Sequence, residues 1–86
     1  MKTQFCEDVL KFLKSEYNDS YEFSIELKQD RFSSTIELRI KTGKFTRIII
    51  NSYMEYFYEL YRRRTYIEER DQFKWEKELT DLIEGG

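Results

Sequence analysis

The 86-residue sequence contains no histidine, proline or alanine, a single cysteine and three glycines. Without histidine, neither a Ser-His-Asp nor a Cys-His catalytic arrangement can form, and no metal can be held by imidazole. One cysteine builds neither an intrachain disulfide nor a zinc site. Three glycines, two of them terminal, do not make a phosphate-binding loop or a dinucleotide fingerprint. General acid–base chemistry by Asp, Glu, Lys or Tyr remains, but no such residues converge in the sequence. We therefore predict that the protein is not an enzyme and has no metal or cofactor.

The single cysteine and the short apolar runs indicate where the protein resides. Cys6 lies next to Phe5 on an apolar helical stripe, so we expect a buried, inert thiol rather than a reactive one. Apolar runs do not exceed three residues, as at 48–50, which is too few to span a membrane. The charged pair Glu7 and Asp8 precedes any apolar stretch, which argues against a signal peptide. We expect a cytoplasmic protein that makes no membrane contact.

The residues that are present include an ordinary share of apolar side chains and a high share of aromatic ones. Apolar residues make up 40% and charged residues 37%, as in a folded domain, and we treat residues 1–86 as a single domain. Aromatic residues reach 17%, which exceeds the needs of a small core, so we expect some on the surface. The absence of Ala and Pro, with abundant Lys, Ile, Tyr, Phe and Glu, is typical of an AT-rich genome such as that of a Gram-positive bacterium, a phage or a mobile element.

Hydrophobic periodicity predicts three helices and three strands. A first helix, capped by Thr3 and running to about Tyr17, has one apolar stripe. Alternating residues predict strands over about 21–28, 34–41 and 45–50. Capping boxes at 52–55 and 65–68 predict the starts of the second and third helices, and the final Gly85-Gly86 predicts the end of the third. The order α-β-β-β-α-α predicts an α+β fold, with a three-stranded antiparallel meander that packs its helices on one face.

The register of the second hairpin depends on the length of its loop. A two-residue loop at 42–43 would place Leu38 opposite Arg47, whereas a three-residue loop at 42–44 places Leu38 opposite Ile48. Because a slip of one residue turns every side chain to the other face, we expect the three-residue loop. The predicted core residues of these strands are Ile36, Leu38, Ile40, Ile48 and Ile50. The predicted residues of the opposite face are Arg39, Phe45, Arg47 and Ile49.

The helical pair carries the first candidate site. Tyr and Arg side chains are the usual hot-spot residues of protein interfaces, and both are concentrated here. The predicted partner-binding residues are Tyr56, Tyr58, Arg62, Arg63, Arg64, Tyr66, Glu68, Glu69 and Phe73. The favoured hypothesis is a non-catalytic phage or mobile-element protein that binds and inhibits a host protein, such as a nucleic-acid-handling defence enzyme.

Other interpretations stay open. Residues 31–64 carry eight basic and three acidic side chains between two acidic ends, so the basic middle favours a small nucleic-acid-binding regulatory protein. Its predicted nucleic-acid-binding residues are Arg39, Lys41, Lys44 and Arg47. The surplus aromatic residues favour a homodimeric structural protein. The arginine run at 62–64 has a purely structural alternative, in which its cations complement the negative end of the second helix.

The order of elements over the whole chain resembles that of a small phage-encoded anti-CRISPR protein that inhibits Cas9. The segments that carry the resemblance are the charged first helix with Asp8-Val9-Leu10-Lys11, the glycine turn Lys41-Thr42-Gly43, and the aromatic, acidic C-terminal third. The resemblance implies a DNA mimic whose acidic face occupies the PAM-reading site. This sequence departs from that pattern in its arginine run at 62–64 and in its net charge of only −2.

Part of the chain also resembles another family. Residues 3–64 share the order α-β-β-β-α with double-stranded-RNA-binding domains. The final helix of those domains begins with lysines that contact phosphates. Here the matching helix begins Ser52-Tyr53-Met54-Glu55, with no basic residue. Neither resemblance transfers site residues to this chain.

Overall fold

The computed structural model describes residues 2–85 and confirms a mixed α+β fold. The helices are α1 (Lys2–Glu16), α2 (Asn51–Arg62) and α3 (Lys74–Gly85). The strands are β1 (Tyr21–Gln29), β2 (Ser34–Thr42), β3 (Phe45–Ile49), β4 (Tyr66–Ile67) and β5 (Gln72–Phe73). The first three strands form the predicted antiparallel meander, in the order β1-β2-β3. β4 and β5 form a separate two-stranded ribbon, joined by a 3-10 helix at Glu68–Arg70.

The core lies between one face of the meander and the helices. Ile36, Leu38 and Ile40 alternate along β2 and are buried, whereas the residues between them lie on the outer face. α1 packs on β1, α2 packs on β2, and α3 packs on α2. Burial raises the pKa of the Cys6 thiol, in agreement with the prediction of a buried residue. The buried residues of the α1 stripe are Phe5, Cys6, Val9 and Leu13.

The predicted register of the β2–β3 hairpin is wrong by one residue. The turn consists of residues 43–44, and Leu38 pairs with Ile49 rather than with Ile48. Gly43 has a φ of 59°, the positive value that glycine supplies at the first central position of a two-residue hairpin turn. As a result Ile49 is 2% exposed, while Ile48 is 44% exposed.

The faces assigned to β3 are therefore reversed. Ile48 and Ile50 were expected in the core and are exposed instead. Phe45, Arg47 and Ile49 lie on the inner side of the strand, since they pair with the inward-facing positions of β2. Arg39 stays on the outer face, as predicted, opposite Ile48.

Asn51 completes the hairpin where β3 ends. If the observed pairing of β2 and β3 continued beyond Ile49, Asn51 would lie opposite Ile36. Its side-chain Oδ1 accepts a hydrogen bond of 2.8 Å from the Ile36 backbone N–H, in place of a strand carbonyl. Asn51 also begins α2, so the Ile36 N–H keeps an acceptor where the chain changes from strand to helix.

The predicted helix caps differ from the observed ones. Thr3 lies inside α1, which begins at Lys2. α2 begins at Asn51 rather than after Ser52, and its N-cap has no side-chain hydrogen bond. The second capping box, at 65–68, does not start a helix at all, because β4 and the 3-10 helix occupy these residues.

The way α2 ends explains why no helix starts at Thr65. Arg64 adopts a left-handed conformation with a φ of 53°, and its N–H bonds to the Tyr61 carbonyl at 3.1 Å. The Thr65 N–H bonds back to the Leu60 carbonyl at 3.3 Å. These two bonds form a Schellman motif, which terminates a helix and usually has glycine at the position of Arg64.

α3 starts instead at the end of the ribbon. The Thr65 carbonyl accepts a hydrogen bond of 2.9 Å from the Lys74 N–H, and this bond closes the base of the ribbon. The Glu76 side chain reaches back to accept the Phe73 N–H at 3.0 Å. This is one half of a capping box, formed without the Ser or Thr that identifies such a box in a sequence.

Gly85 is the last residue of α3, where the third helix was predicted to end. Gly86, which was included in that prediction, lies outside the described residues. Within residues 2–85, none of the helices combines the length and the apolar character that crossing a bilayer requires.

Candidate partner-binding groove

A groove of about 710 Å³ lies between α1, the end of α2 and the beginning of α3. We call it the α1–α3 groove. It combines aromatic, cationic and acidic side chains with two neutral polar ones. The lining residues are Gln4, Asp8, Lys11, Phe12, Ser15, Tyr61, Arg62, Arg64, Phe73, Trp75 and Glu76.

The floor of the groove is aromatic and firmly packed. Trp75 is only 5% exposed and meets Phe12 edge-on, with ring centroids 5.4 Å apart. Tyr61 meets the same indole at 6.0 Å, also edge-on. Phe5 lies beneath these rings in the core, 5.1 Å from Tyr61. Edge-to-face packing of this kind adds to the stability from burial, so the floor is a preformed apolar surface.

Both carboxylates of the groove are held by hydrogen bonds from the protein itself. Asp8 accepts a bond of 2.6 Å from the Tyr61 hydroxyl and one of 3.0 Å from the Gln4 amide. The hydrogen bond to Asp8, and secondly burial, raise the pKa of Tyr61 to about 12. Glu76 accepts the Phe73 backbone N–H. These two acids are therefore less available to a ligand than their number suggests.

The cations of the groove have fewer interactions within the protein than its carboxylates have. Arg62 pairs with Glu59 at 3.2 Å on the exposed surface of α2, a weak interaction in solvent. Within residues 2–85, neither Lys11 nor Arg64 forms an ion pair. The groove thus offers charged donors from α1 and from the end of α2, together with an aromatic floor.

The ribbon of β4 and β5 extends this surface. Tyr66 and Phe73 face each other across the two strands, with ring centroids 5.4 Å apart in a T-shaped arrangement. They remain 45% and 40% exposed. The Tyr66 hydroxyl donates a hydrogen bond to Asp71, which itself has a positive φ of 51°. This hydrogen bond raises the pKa of Tyr66 and fixes the ring at the edge of the groove.

The structure brings together some of the predicted partner-binding residues. Arg62, Arg64 and Phe73 line the α1–α3 groove, and Tyr66 packs on Phe73 beside it. Arg63 is next in sequence but does not line the groove; its side chain is 77% exposed and lies 3.7 Å from the carboxylate of Glu59. The acidic pair at 68–69 lies on the exposed 3-10 helix.

The other two tyrosines lie elsewhere. Tyr58 was predicted to contact a partner as an exposed side chain, but it is only 8% exposed. Its ring packs on Phe5, and the Lys2 ammonium lies 5.4 Å from the ring centroid. Tyr56 is exposed but lines a different groove, between α2 and α3, with Tyr53. Helical periodicity places positions 56 and 58 about 200° apart, so one helix cannot present both on the same surface.

The four predicted nucleic-acid-binding residues do not form one surface. Arg47 lies on the inner side of β3, where its guanidinium donates to the carbonyls of Leu82 and Ile83 at 2.7 and 2.8 Å. Arg39 lies on the outer face within 3.8 Å of carboxylates on both β1 and β2. Lys41 and Lys44 are exposed around the hairpin. A continuous basic patch is therefore absent from this part of the described chain.

Sequence analysis did not predict some of the residues that line the groove. Phe12 was not counted in the predicted stripe of α1, although it lies seven residues after Phe5 and therefore beside it on the helix. It forms part of the floor. An apolar residue at the margin of the stripe was the available signal that the contact surface of α1 is wider than the stripe. Asp8 lies four residues before Phe12 and three before Lys11, so it is a neighbour of both on the helix, and all three line the groove.

Comparison of the chain with protein-family models, with curated proteins and with solved structures gives no match. Among residues 2–85 no three His, Cys, Asp or Glu side chains come together as a metal site.

Proposed function

We propose that this protein is a non-catalytic binding protein whose α1–α3 groove holds an acidic segment of a protein partner. The segment carries an apolar side chain that lies on the aromatic floor, and its carboxylates meet Lys11 and Arg64. The observation that carries the proposal is a difference between the acidic and the basic side chains of the groove. Both carboxylates of the groove already accept hydrogen bonds, whereas these two cations have no ion-pair partner within residues 2–85.

Groove shape and chemistry support a peptide rather than a flat protein surface. Ligand sites combine a concave apolar floor with a few polar groups that fix orientation, and the groove has this composition. Here Trp75 and Phe12 supply the floor, and the ribbon residues Tyr66 and Phe73 supply exposed aromatic area at the rim. Charge-assisted bonds between arginine and a carboxylate are the stronger polar contacts available at such a rim.

The biological role that we propose is inhibition of a host protein by occupation of one of its surfaces. A phage or mobile element is the source that the composition favours. The lack of histidine, and of a metal-binding cluster among residues 2–85, supports binding as the means of action. Direct binding of nucleic acid is not proposed, because the predicted basic residues already have partners within the protein. Arg47 donates hydrogen bonds to carbonyls of α3, and Arg39 forms ion pairs with neighbouring carboxylates.

The test is a binding titration with a short synthetic peptide in which acidic residues flank a single leucine. We expect binding that weakens as salt increases, because the rim contacts are partly exposed charges. A peptide with lysines in place of the acids should not bind. Binding of the lysine peptide, or of neither peptide, would contradict the proposal.

Two arginines of the same run provide a matched pair of variants. Arg64→Gly removes a groove cation at a residue whose positive φ suits glycine, so the variant should be at least as stable as the wild type. It should bind the acidic peptide about tenfold more weakly, the effect of one lost charge-assisted bond. Arg63→Ala removes a cation that does not line the groove and should change the affinity little. Equal effects of the two changes would show that the groove is not the site.

A further inference from the structure

β1 forms one edge of the meander and pairs only with β2 among the described strands. Its inward-facing side chains are Tyr21, Phe23, Ile25 and Leu27, and all four are only partly buried. By contrast, the inward-facing residues at the centre of β2 are 0–4% exposed. The apolar face of β1 is therefore incompletely covered along a strand that is longer than most.

The backbone of β1 has hydrogen-bonding groups directed away from the sheet. The Asp30 N–H bonds to the Ser33 carbonyl at 2.9 Å, which makes these two residues a hydrogen-bonded pair of the ladder. Such pairs alternate along an antiparallel ladder, so the even-numbered residues of β1 bond to β2. The N–H and C=O groups of Phe23, Ile25 and Leu27 therefore point to the open edge.

This edge lacks the features that protect the other one. β3 is short, and the inward-pointing charge of Arg47 discourages a further strand from pairing there. β1 contains no proline, no glycine and no inward-pointing charged residue. An open edge of this kind is a template for another strand.

We propose that a second copy of this chain pairs with this edge, antiparallel and centred on Ile25. In that register each of the outward N–H groups at 23, 25 and 27 meets a carbonyl of the second copy, and Phe23 lies opposite Leu27 of the other copy. Because the pairing is two-fold symmetric, both inner faces lie on the same side of one continuous sheet. The half-buried apolar residues of the two β1 strands then cover one another.

Charge selects this register over its neighbours. Centred on Ile25, the pairing places Glu22 of each copy opposite Lys28 of the other on the outer face. Shifting the centre to Ser24 sets Glu22 opposite Glu26, and shifting it to Glu26 sets two Glu26 side chains against each other. Opposite charges across strands stabilise a sheet, and like charges destabilise it. The central register also pairs the whole of β1, since Ile25 is its middle residue.

A charge swap tests the pairing by sedimentation or light scattering over a range of concentrations. Wild-type protein should dimerise. Lys28→Glu sets like charges against each other at two symmetric positions and should weaken the dimer about tenfold. The double variant Glu22→Lys/Lys28→Glu restores the opposite charges and should recover the dimer. Both positions are exposed, so thermal unfolding of the variants at low concentration checks that the monomer fold is intact.

Amide hydrogen exchange locates the interface independently of the charges. The amides of Phe23, Ile25 and Leu27 should gain protection as concentration increases, while Tyr21 changes less because its N–H already bonds to the Asn18 carbonyl. A protein that stays monomeric, with these amides exchanging fast at every concentration, would overturn the proposal. So would a dimer that Lys28→Glu leaves unchanged, or protection of these amides that requires addition of a different protein.

Discussion

Replacing Arg47 by methionine removes two hydrogen bonds that hold the end of α3 against the sheet. The guanidinium donates to the carbonyls of Leu82 and Ile83 at 2.7 and 2.8 Å, and these carbonyls belong to the last turn of the helix. Carbonyls in that turn have no partner within the helix itself. The planar fork of arginine satisfies both at once and also places a cation at the negative end of the helix dipole.

The expected loss of stability follows from these contacts. Hydrogen bonds to a charged group contribute about 1.5–3 kcal/mol each, and the lower value is appropriate because Arg47 is only partly buried. Arg47→Met should therefore lower the free energy of unfolding by about 3 kcal/mol. A domain of this size has a total of about 4–13 kcal/mol, and the melting temperature of a small domain shifts by roughly 4–8 °C per kcal/mol. We expect a decrease of about 12–24 °C.

Thermal and urea unfolding, followed by circular dichroism, measure this loss. Arg47→Lys keeps the charge but not the fork, so its melting temperature should lie between those of the wild type and the methionine variant. Arg39→Met is the matched control, because its guanidinium makes only exposed ion pairs of 3.5 and 3.8 Å. Exposed pairs contribute at most about 1 kcal/mol. If Arg47→Met were as stable as Arg39→Met, the assignment of Arg47 to the fold would be refuted.

Two further predictions concern Asn51 and Tyr61. Asn51→Leu leaves the buried Ile36 N–H without an acceptor and should cost about 1–3 kcal/mol in urea unfolding, whereas Asn51→Asp keeps an oxygen and should cost less; equal losses would contradict this role. The pKa of Tyr61 is raised by its bond to Asp8, so the folded state holds this proton more tightly than the unfolded state. Its contribution is fully present below about pH 10 and is lost as the pH rises towards 12, a loss that Tyr61→Phe should abolish. An absorbance titration should lose one tyrosine ionising near pH 12 in that variant, and an unchanged titration would contradict the pKa assignment.

The sequence predicted the parts of the fold that rest on clear periodicity. The stripe of α1 and the alternation of β2 each identify one buried face, so these elements and the meander were predicted correctly. The register of β3 was predicted wrongly, because the isoleucines at 48–50 are consecutive. Either the even-numbered or the odd-numbered ones could face the core. The two-residue turn with Gly43 in a positive φ, and the side-chain bond from Asn51 to Ile36, decide it instead. Neither feature produces a hydrophobic pattern in the sequence.

The candidate site was predicted only in part. Arg62, Arg64 and Phe73 were recognised from residue type, but their grouping depends on a ribbon of two-residue strands, which is too short to show any periodicity. The spacing of Thr65 and Glu68 matches a capping box, in which the Thr65 N–H would donate to the Glu68 side chain. In the structure this N–H donates to the Leu60 carbonyl instead, as part of the Schellman motif that ends α2. The contribution of α1 depends on which of its sides faces α3, and tertiary packing alone determines that.

Binding of an acidic segment in the α1–α3 groove can be followed residue by residue in a two-dimensional NMR titration with the acidic leucine peptide. Trp75 is the only tryptophan, so its indole N–H gives a single resonance from the floor of the groove. We expect that resonance and the amides of Lys11 and Phe73 to shift together until saturation, while the amides around Tyr53 and Tyr56 stay in place. Shifts confined to that second groove, or no shift of the Trp75 indole at saturating peptide, would show that the α1–α3 groove does not bind the acidic segment.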